Sequence, residues 1–312
     1  MALKTDSTQR MALSIGPVLY YWSRETLLNF YADVAESSAD SVVLGELVCS
    51  RRCEMKTSDW LALAADLASA GKEVVLATQA LIESESDLRT LRRIAEQGDF
   101  MVEAGDASAL QVLAGMKARF VLGPHINVYN QPALQQYIAM GAARWVAPVE
   151  LPLSDVAIIN AQGALLPTEM FAYGRMPLAF SARCFTARHY RLSKDQCEFR
   201  CRDDADGLLL STSDGAPFFV LNGIQTQSAA QQCLIEDRAA LLAAGVSRLR
   251  LSPSSQGFGE VIKAFDAVMN QGADAEAALT ELKSASLPGG LVNGFAHARA
   301  GMEWTAMEES PA

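Results

Sequence analysis

Residues 41–77 read SVVLGELVCSRRCEMKTSDWLALAADLASAGKEVVLA, and they hold one complete structural repeat. Ser41–Leu47 is a short run rich in β-branched and apolar residues, the signature of a strand. Ser58–Ala70 carries apolar residues at helical spacing, with Ser58 placed to cap it and Gly71 to stop it. Glu73–Ala77 is the next strand. Nearly continuous apolar strands joined by a helix belong to a parallel sheet buried on both faces.

The unit recurs in both directions. Upstream lie the strand Leu13–Tyr21 and a helix over Arg24–Ala35. Downstream, helices over Glu85–Gln97, Ala107–Ala114, Gln131–Met140 and Ser154–Asn160 alternate with strands Phe100–Ala104, Phe120–Gly123, Arg144–Pro148 and Leu165–Ala172. Seven such units in a row predict an α/β fold. Arg248–Leu251, after a helix predicted over Ala229–Ala244, supplies an eighth strand and completes a (β/α)8-type, TIM-like barrel.

Residues 179–226 break the rhythm and read as a Cys-rich insertion before the last β/α unit. Within it, Leu208–Leu210 and Phe218–Leu221 flank Ser213-Asp214-Gly215 as a β-hairpin. The expected organisation is a disordered tail over 1–10, a single barrel-like domain over 11–305 and a frayed tail over 306–312.

At 312 residues, with 50% hydrophobic and 20% charged residues, the chain has ordinary globular usage and is long enough to bury a sizeable core. Its net charge of −10 argues against binding nucleic acid, which needs a basic stripe, and against an anionic membrane surface. No apolar run approaches the ~20 residues of a membrane span. The polar N-terminus lacks the apolar core of a secretory signal, so a cytoplasmic location is expected. In a reducing compartment six Cys point to metal or catalysis rather than disulfides.

Cys184, Cys197 and Cys201 follow a C-x12-C-x3-C pattern in RCFTARHYRLSKDQCEFRC, among Arg, Lys and Asp. Burial as small hydrophobes fits such flanks poorly. Ligation by thiolates fits better, because neighbouring cations lower thiol pKa values. A fourth sulfur comes from Cys49 or Cys53 after the second strand, whereas Cys233 lies in an apolar run and reads as core. Four thiolates suit structural zinc or an iron–sulfur cluster, and the dispersed spacing leans toward the cluster.

Polar residues also gather after the strands, where barrel enzymes build their sites. Glu46 follows the second strand, Glu103 and Asp106 the fourth, His125, Asn127 and Asn130 the fifth, and Glu150 the sixth. Glu169 lies in the seventh run, with Tyr173 and Arg175 after it. Each alone reads equally as a loop or cap residue. Together they suit a polar or anionic small molecule, with Glu46, His125 and Glu150 as catalytic candidates. His189 is placed to donate toward a cluster sulfur, and His297 to lie on the surface of the last helix.

The stretch Glu169-Met-Phe-Ala-Tyr-Gly174, followed by Pro177-Leu-Ala-Phe-Ser181-Ala-Arg-Cys184, resembles the signature of the collagenase-like peptidase superfamily. GPHINVYN (residues 123–130) and Pro148-Val-Glu150-Leu match further stretches. SIGPVLYYW (14–22), LGELVCS (44–50), SARCFTAR (181–188) and FVLNGIQT (219–226) are similar to its ubiquinone-biosynthesis branch. The resemblance covers nearly the whole chain from Met11. It departs at Ala182-Arg183, where the superfamily carries a glycine before the Cys.

The resemblance implies a barrel-like fold and a [4Fe–4S] cluster on Cys49, Cys184, Cys197 and Cys201, with Cys53 at a position that is basic in the family. It also implies a heterodimer with the sister protein UbiU. Further implied are the lipid-binding accessory UbiT and, as ligands of the complex, a ubiquinone precursor and prephenate. The expected function is that of an iron–sulfur subunit for oxygen-independent hydroxylation of the precursor ring. The alternatives are a metal-dependent collagenase-like peptidase and a non-catalytic, cluster-bearing scaffold. No G-x-S-x-G, H-E-x-x-H or phosphate-binding glycine loop accompanies any of these readings.

Overall fold

In the computed structural model, which describes residues 9–161, 165–284 and 287–306, the strand–helix repeat closes on itself. The chain begins β1 (Ala12–Ile15), α1 (Arg24–Glu36), β2 (Ser41–Leu44), α2 (Thr57–Ser69), β3 (Glu73–Ala77), α3 (Glu85–Ala95), β4 (Met101–Ala104) and α4 (Ala107–Gly115). It continues β5 (Phe120–Leu122), α5 (Gln131–Met140), β6 (Ala142–Val146), α6 (Leu153–Asn160), β7 (Thr168–Phe180) and α7 (Phe185–His189). A ribbon of β8 (Leu208–Ser211), β9 (Pro217–Asn222) and β10 (Gln225–Cys233) precedes α8 (Arg238–Ala243), β11 (Val246–Leu251), α9 (Phe258–Gln271), α10 (Ala275–Ser284) and β12 (Leu291–Val292).

Strands β1 to β7 pair in order and in parallel, and β11 pairs in parallel with both β7 and β1. The sheet is therefore a closed eight-stranded parallel barrel, the TIM-barrel fold. Side chains close the helix starts: Ser23, Ser84, Asp106 and Asn130 each accept an amide N–H of the following first turn. Helix α2 starts at Thr57, one residue before the expected Ser58, because the Asp59 carboxylate accepts the Lys56 N–H at 2.8 Å.

The strand expected over Leu13–Tyr21 ends at Ile15, and two further expected elements differ. The helix predicted over Ala229–Ala244 is instead the end of β10 followed by the short α8. The strand predicted over Leu165–Ala172 runs on to Phe180. Both differences have one cause. β7 outlasts the barrel, and its free edge takes β10 as an antiparallel partner from Tyr173↔Cys233 to Phe180↔Gln225. An available strand edge overrides the local helical preference of an Ala- and Gln-rich run. At the N-terminus Arg10 is already held, by an ion pair to Asp40 at 2.6 Å. Residues 1–8 and 307–312 of the expected tails lie outside the described residues.

Alternation along the strands sends Leu13, Ile15, Val42, Leu44, Leu122 and Leu249 outward into the main apolar core with the helices. The opposite set faces the barrel axis, and much of it is charged. Arg250 of β11 reaches across to Glu103 of β4 in two bonds of 2.9 and 2.6 Å, and to Glu169 of β7 at 2.6 Å. Deeper in the barrel, Arg248 meets Glu73 at 2.5 Å, and Arg144 also pairs with Glu73. Arg144 and Arg248 lie 3.7 and 3.9 Å from the second Glu169 oxygen. Three carboxylates and three guanidiniums thus fill the axis. Such groups are tolerated in a dry interior only when mutually paired.

Beside these charges the barrel also holds an apolar cluster, with Val121 paired in register with Glu103 and Val146 with Glu169. Val43, Val75, Val121 and Val146 from the strands pack with Leu19, Leu47, Val48 and Ile224 from the loops above. This layer closes the mouth and forms the floor on which Cys49 and Cys184 rest.

Candidate functional site

The loop after β2, the start of α7 and two 3-10 turns converge above the apolar layer. Cys49, Cys184, Cys197 and Cys201 line one cavity there, together with Arg51, Arg52, Lys194 and Gly223. Each thiol is fixed differently. Glu46 accepts the N–H groups of Val48 and Cys49, at 3.0 and 3.1 Å, and so shapes the turn that presents Cys49. Cys184 caps α7, its sulfur accepting the Ala187 N–H at 3.4 Å. Cys197 and Cys201 sit on either side of Glu198 and Phe199, two consecutive non-glycine residues with φ of 50° and 53°. A left-handed pair of this kind costs ~1–3 kcal/mol per residue and persists where the surroundings impose it.

Cross-links tie the insertion to the β2–α2 loop. Arg51 binds the Asp195 carboxylate at 2.9 Å and the Asp195 carbonyl at 2.9 Å. Arg202 pairs with Glu54 and lies over the Tyr21 ring at 4.7 Å. Lys194 binds Glu83 at 2.6 Å. The Trp22 indole donates to the Ala205 carbonyl at 2.7 Å.

Arg52 stands beneath the thiols. Its guanidinium is buried and donates to the Leu19 carbonyl and the Asn222 side chain, each at 2.7 Å, with Glu46 at 3.7 Å. Its charge favours the thiolate form of Cys201. Gly223 belongs here because its φ is +65° and a Cβ would stand 2.9 Å from an Arg52 nitrogen.

The sequence reading had these thiols lowered in pKa by their basic neighbours. Instead burial pushes Cys49, Cys184 and Cys201 above the ordinary thiol value, although Arg52 opposes it at Cys49 and Cys201. Ligation there would have to displace protons, as metal binding by thiols does. The donor set fits a cluster with four sulfur ligands: four thiols, nearby cations to offset its negative charge, and a backbone N–H, that of Ala187, on the Cys184 sulfur. Among the described residues no group of three or more His, Cys, Asp or Glu side chains already has the arrangement of a bound metal site.

Cys53 is exposed and lies outside this cavity. Cys233 is fully buried on β10, where burial raises its pKa to about 12. The strand placement differs from the helix expected for it, but its core character is as expected. His189 is exposed and packs edge-on against Tyr190, with no bond to a sulfur. His297 lies in a 3-10 turn and its Nε2 is 2.9 Å from the buried Asp237, so it is not a surface residue of a helix.

The polar residues expected at the rim are dispersed. Glu103 and Glu169 belong to the ionic axis, because their strand positions point inward below the mouth. Asp106 and Asn130 are helix caps. Arg175 is buried and donates to the carbonyls of Ala229 and Asp206. Glu46 orients the Cys49 turn, Glu150 is exposed and accepts from Tyr129, and His125 packs edge-on against Phe180 at 4.7 Å. No hydrogen bond or ion pair joins Glu46, His125 and Glu150 among the described residues. Sequence reasoning missed Arg52, whose only signal was its place three residues after Cys49. It also missed Arg144, Arg248 and Arg250, the charged positions in otherwise apolar strands.

Among the described residues no helix is long and apolar enough to cross a membrane. Several solved structures are similar in shape. The U32 peptidase Mk0906 aligns over 82% of this chain and 98% of its own, at 12% identity and a TM-score of 0.46. A phospho-2-dehydro-3-deoxyheptonate aldolase from Thermotoga maritima aligns over 90% and 71%, at 14% identity and a TM-score of 0.44. The dihydropteroate synthase of Thermus thermophilus aligns over 84% and 96%, at 12% identity and a TM-score of 0.40. The model of peptidase family U32 matches residues 28–306, nearly the whole barrel and its insertion, and the chain belongs to that family.

Proposed function

We propose that the chain is an iron–sulfur subunit of the UbiV kind, acting in a heterodimer with UbiU in oxygen-independent hydroxylation of the ubiquinone precursor ring. Prephenate is the proposed oxygen donor of the complex, and UbiT its lipid-binding accessory. The observation that carries the reading is the convergence of Cys49, Cys184, Cys197 and Cys201, from separate loops, on one cavity over the closed barrel mouth. A [4Fe–4S] cluster held by these residues would supply one-electron redox chemistry.

The chain's own residues prepare the site. Glu46 sets the Cys49 turn, the Arg51–Asp195 pair holds the turn of Cys197 against it, and Arg52 brings a buried positive charge beside the sulfurs. The apolar layer below keeps water from the barrel side.

Anaerobic purification with iron and sulfide analysis of Cys→Ala variants tests the reading. Loss of iron is expected for Cys49, Cys184, Cys197 and Cys201, and retention for Cys53 and Cys233. Zinc in place of iron and sulfide would favour the peptidase alternative. Full iron in Cys49→Ala with loss in Cys53→Ala would overturn the ligand set. A strain lacking the gene is expected to lose ubiquinone only when grown without air, and equal ubiquinone in both conditions would refute the pathway. Co-expression with UbiU should give one joint peak in size-exclusion chromatography at micromolar concentration.

A further inference from the structure

Between α2 and α3, over the C-terminal ends of β2 and β3, lies a cleft of about 560 Å³. That volume falls within the ~300–1,000 Å³ of small-molecule sites. We propose that this cleft binds an amphipathic aromatic anion, a flat apolar body carrying one negative head group.

The walls are Leu44, Leu76, Trp60, Leu61, Leu91 and Ile94. They come from both helices and both strand ends, and Trp60 adds aromatic surface to the lining. Three cations, Arg52, Lys56 and Arg93, and two carboxylates, Glu46 and Asp87, line the cleft. Lys56 and Arg93 line the cleft, are exposed, and are held in no salt bridge among the described residues. The carboxylates that line it are already engaged. Asp87 accepts the N–H groups of Glu83 and Ser84, and Glu46 accepts those of Val48 and Cys49. Those backbone donors leave both carboxylates charged, but Glu46 faces Arg52 at 3.7 Å, so the lining carries one net positive charge, on a chain whose net charge is −10.

The inner end of the cleft is Arg52 with Glu46, and Arg52 also lines the thiol cavity. A ligand seated here would be separated from the thiols by one guanidinium. Gly45 keeps the floor open at this end: its φ is +136°, and a Cβ would stand 2.9 Å from the Ala77 carbonyl oxygen. The assignment goes beyond the cluster reading, and binding requires the folded chain rather than iron.

The test uses the anaerobically purified protein, with its iron content recorded, titrated with 4-butylbenzoate by calorimetry and by Trp60 fluorescence. Benzoate lacks the apolar arm and 4-butylbenzamide lacks the charge. Saturable one-to-one binding of 4-butylbenzoate is expected, about five- to tenfold tighter than either analogue. The double variant Lys56→Gln/Arg93→Gln should lose that preference over the amide. Ser86→Trp, at an exposed position on the lining, should abolish binding of both, and Thr90→Trp serves if the first variant fails to fold. Equal affinity for benzoate and 4-butylbenzoate, no preference over the amide, or binding that survives both Trp variants would each overturn the proposal. Binding by iron-free and iron-bearing samples alike would support it whatever becomes of the cluster reading.

Discussion

Arg250→Met removes the hub of the ionic axis. Arg250 is 3% exposed and makes bonds of 2.6–2.9 Å to two carboxylates that are themselves almost wholly buried. Methionine matches much of the side-chain length but leaves Glu103 without a cation and Glu169 with only the longer contacts to Arg144 and Arg248. Breaking a buried pair from one side costs ~3–5 kcal/mol, because the remaining charge keeps its desolvation penalty. With an m-value of ~3 kcal/mol/M for a chain of this size, the urea midpoint should fall by about 1–1.7 M.

The pH dependence sharpens the test. Burial alone would raise the Glu169 pKa, but Arg250, Arg144 and Arg248 hold it below the ordinary carboxyl value. A depressed carboxyl contributes stability that is present above the unfolded pKa of ~4.3 and lost as pH falls through the folded value. The gap between wild type and Arg250→Met should therefore be widest near neutrality and narrow below about pH 4.3. The double variant Arg250→Met/Glu103→Leu removes both ends of the strongest pair and should recover most of the loss. Equilibrium urea unfolding monitored by circular dichroism measures all three proteins. A loss under about 1 kcal/mol in the single variant, or a double variant no better than the single, would refute the reasoning.

Other perturbations follow from single contacts. Burial and then the charge of Arg250 lower the His125 pKa to about 4. The unfolded chain thus takes up that proton first, and up to about 3 kcal/mol of stability should disappear between pH 6.5 and 4. His125→Asn should flatten that part of the stability–pH curve, and parallel curves for the two proteins would contradict it. Glu46→Ala frees the N–H groups of Val48 and Cys49 and should cost about 1–3 kcal/mol, with less iron bound per chain after anaerobic reconstitution. Gly45→Ala forces a Cβ against the Ala77 carbonyl at a positive φ and should lower the thermal midpoint, at a cost of about 1–3 kcal/mol. An unchanged melting curve would show that the loop relaxes around the methyl group.

The barrel was legible because its repeat is local. SVVLGEL, the capped run after it and EVVLA carry strand, helix and strand in their own spacing, and eight such units leave few topologies. The thiol pattern C-x12-C-x3-C was also visible in the chain, since charged flanks around Cys do not suit a core. Other features depended on contacts between distant segments. Whether residues 225–233 form helix or strand was decided by the free edge of β7, which local propensity does not report. Glu103 and Glu169 looked like rim residues because a strand's register on the barrel axis cannot be read from one strand alone. Their place on the ionic axis follows from closure of the eight strands. Cys49 and Cys201 lie far apart in sequence, and Arg52 has no motif of its own. By itself the sequence determined the repeat, its periodicity and the donor chemistry. Only the tertiary structure decided which charges meet across the axis, which thiols share a cavity and where a ligand finds room, because those depend on closure and packing between segments the chain keeps apart.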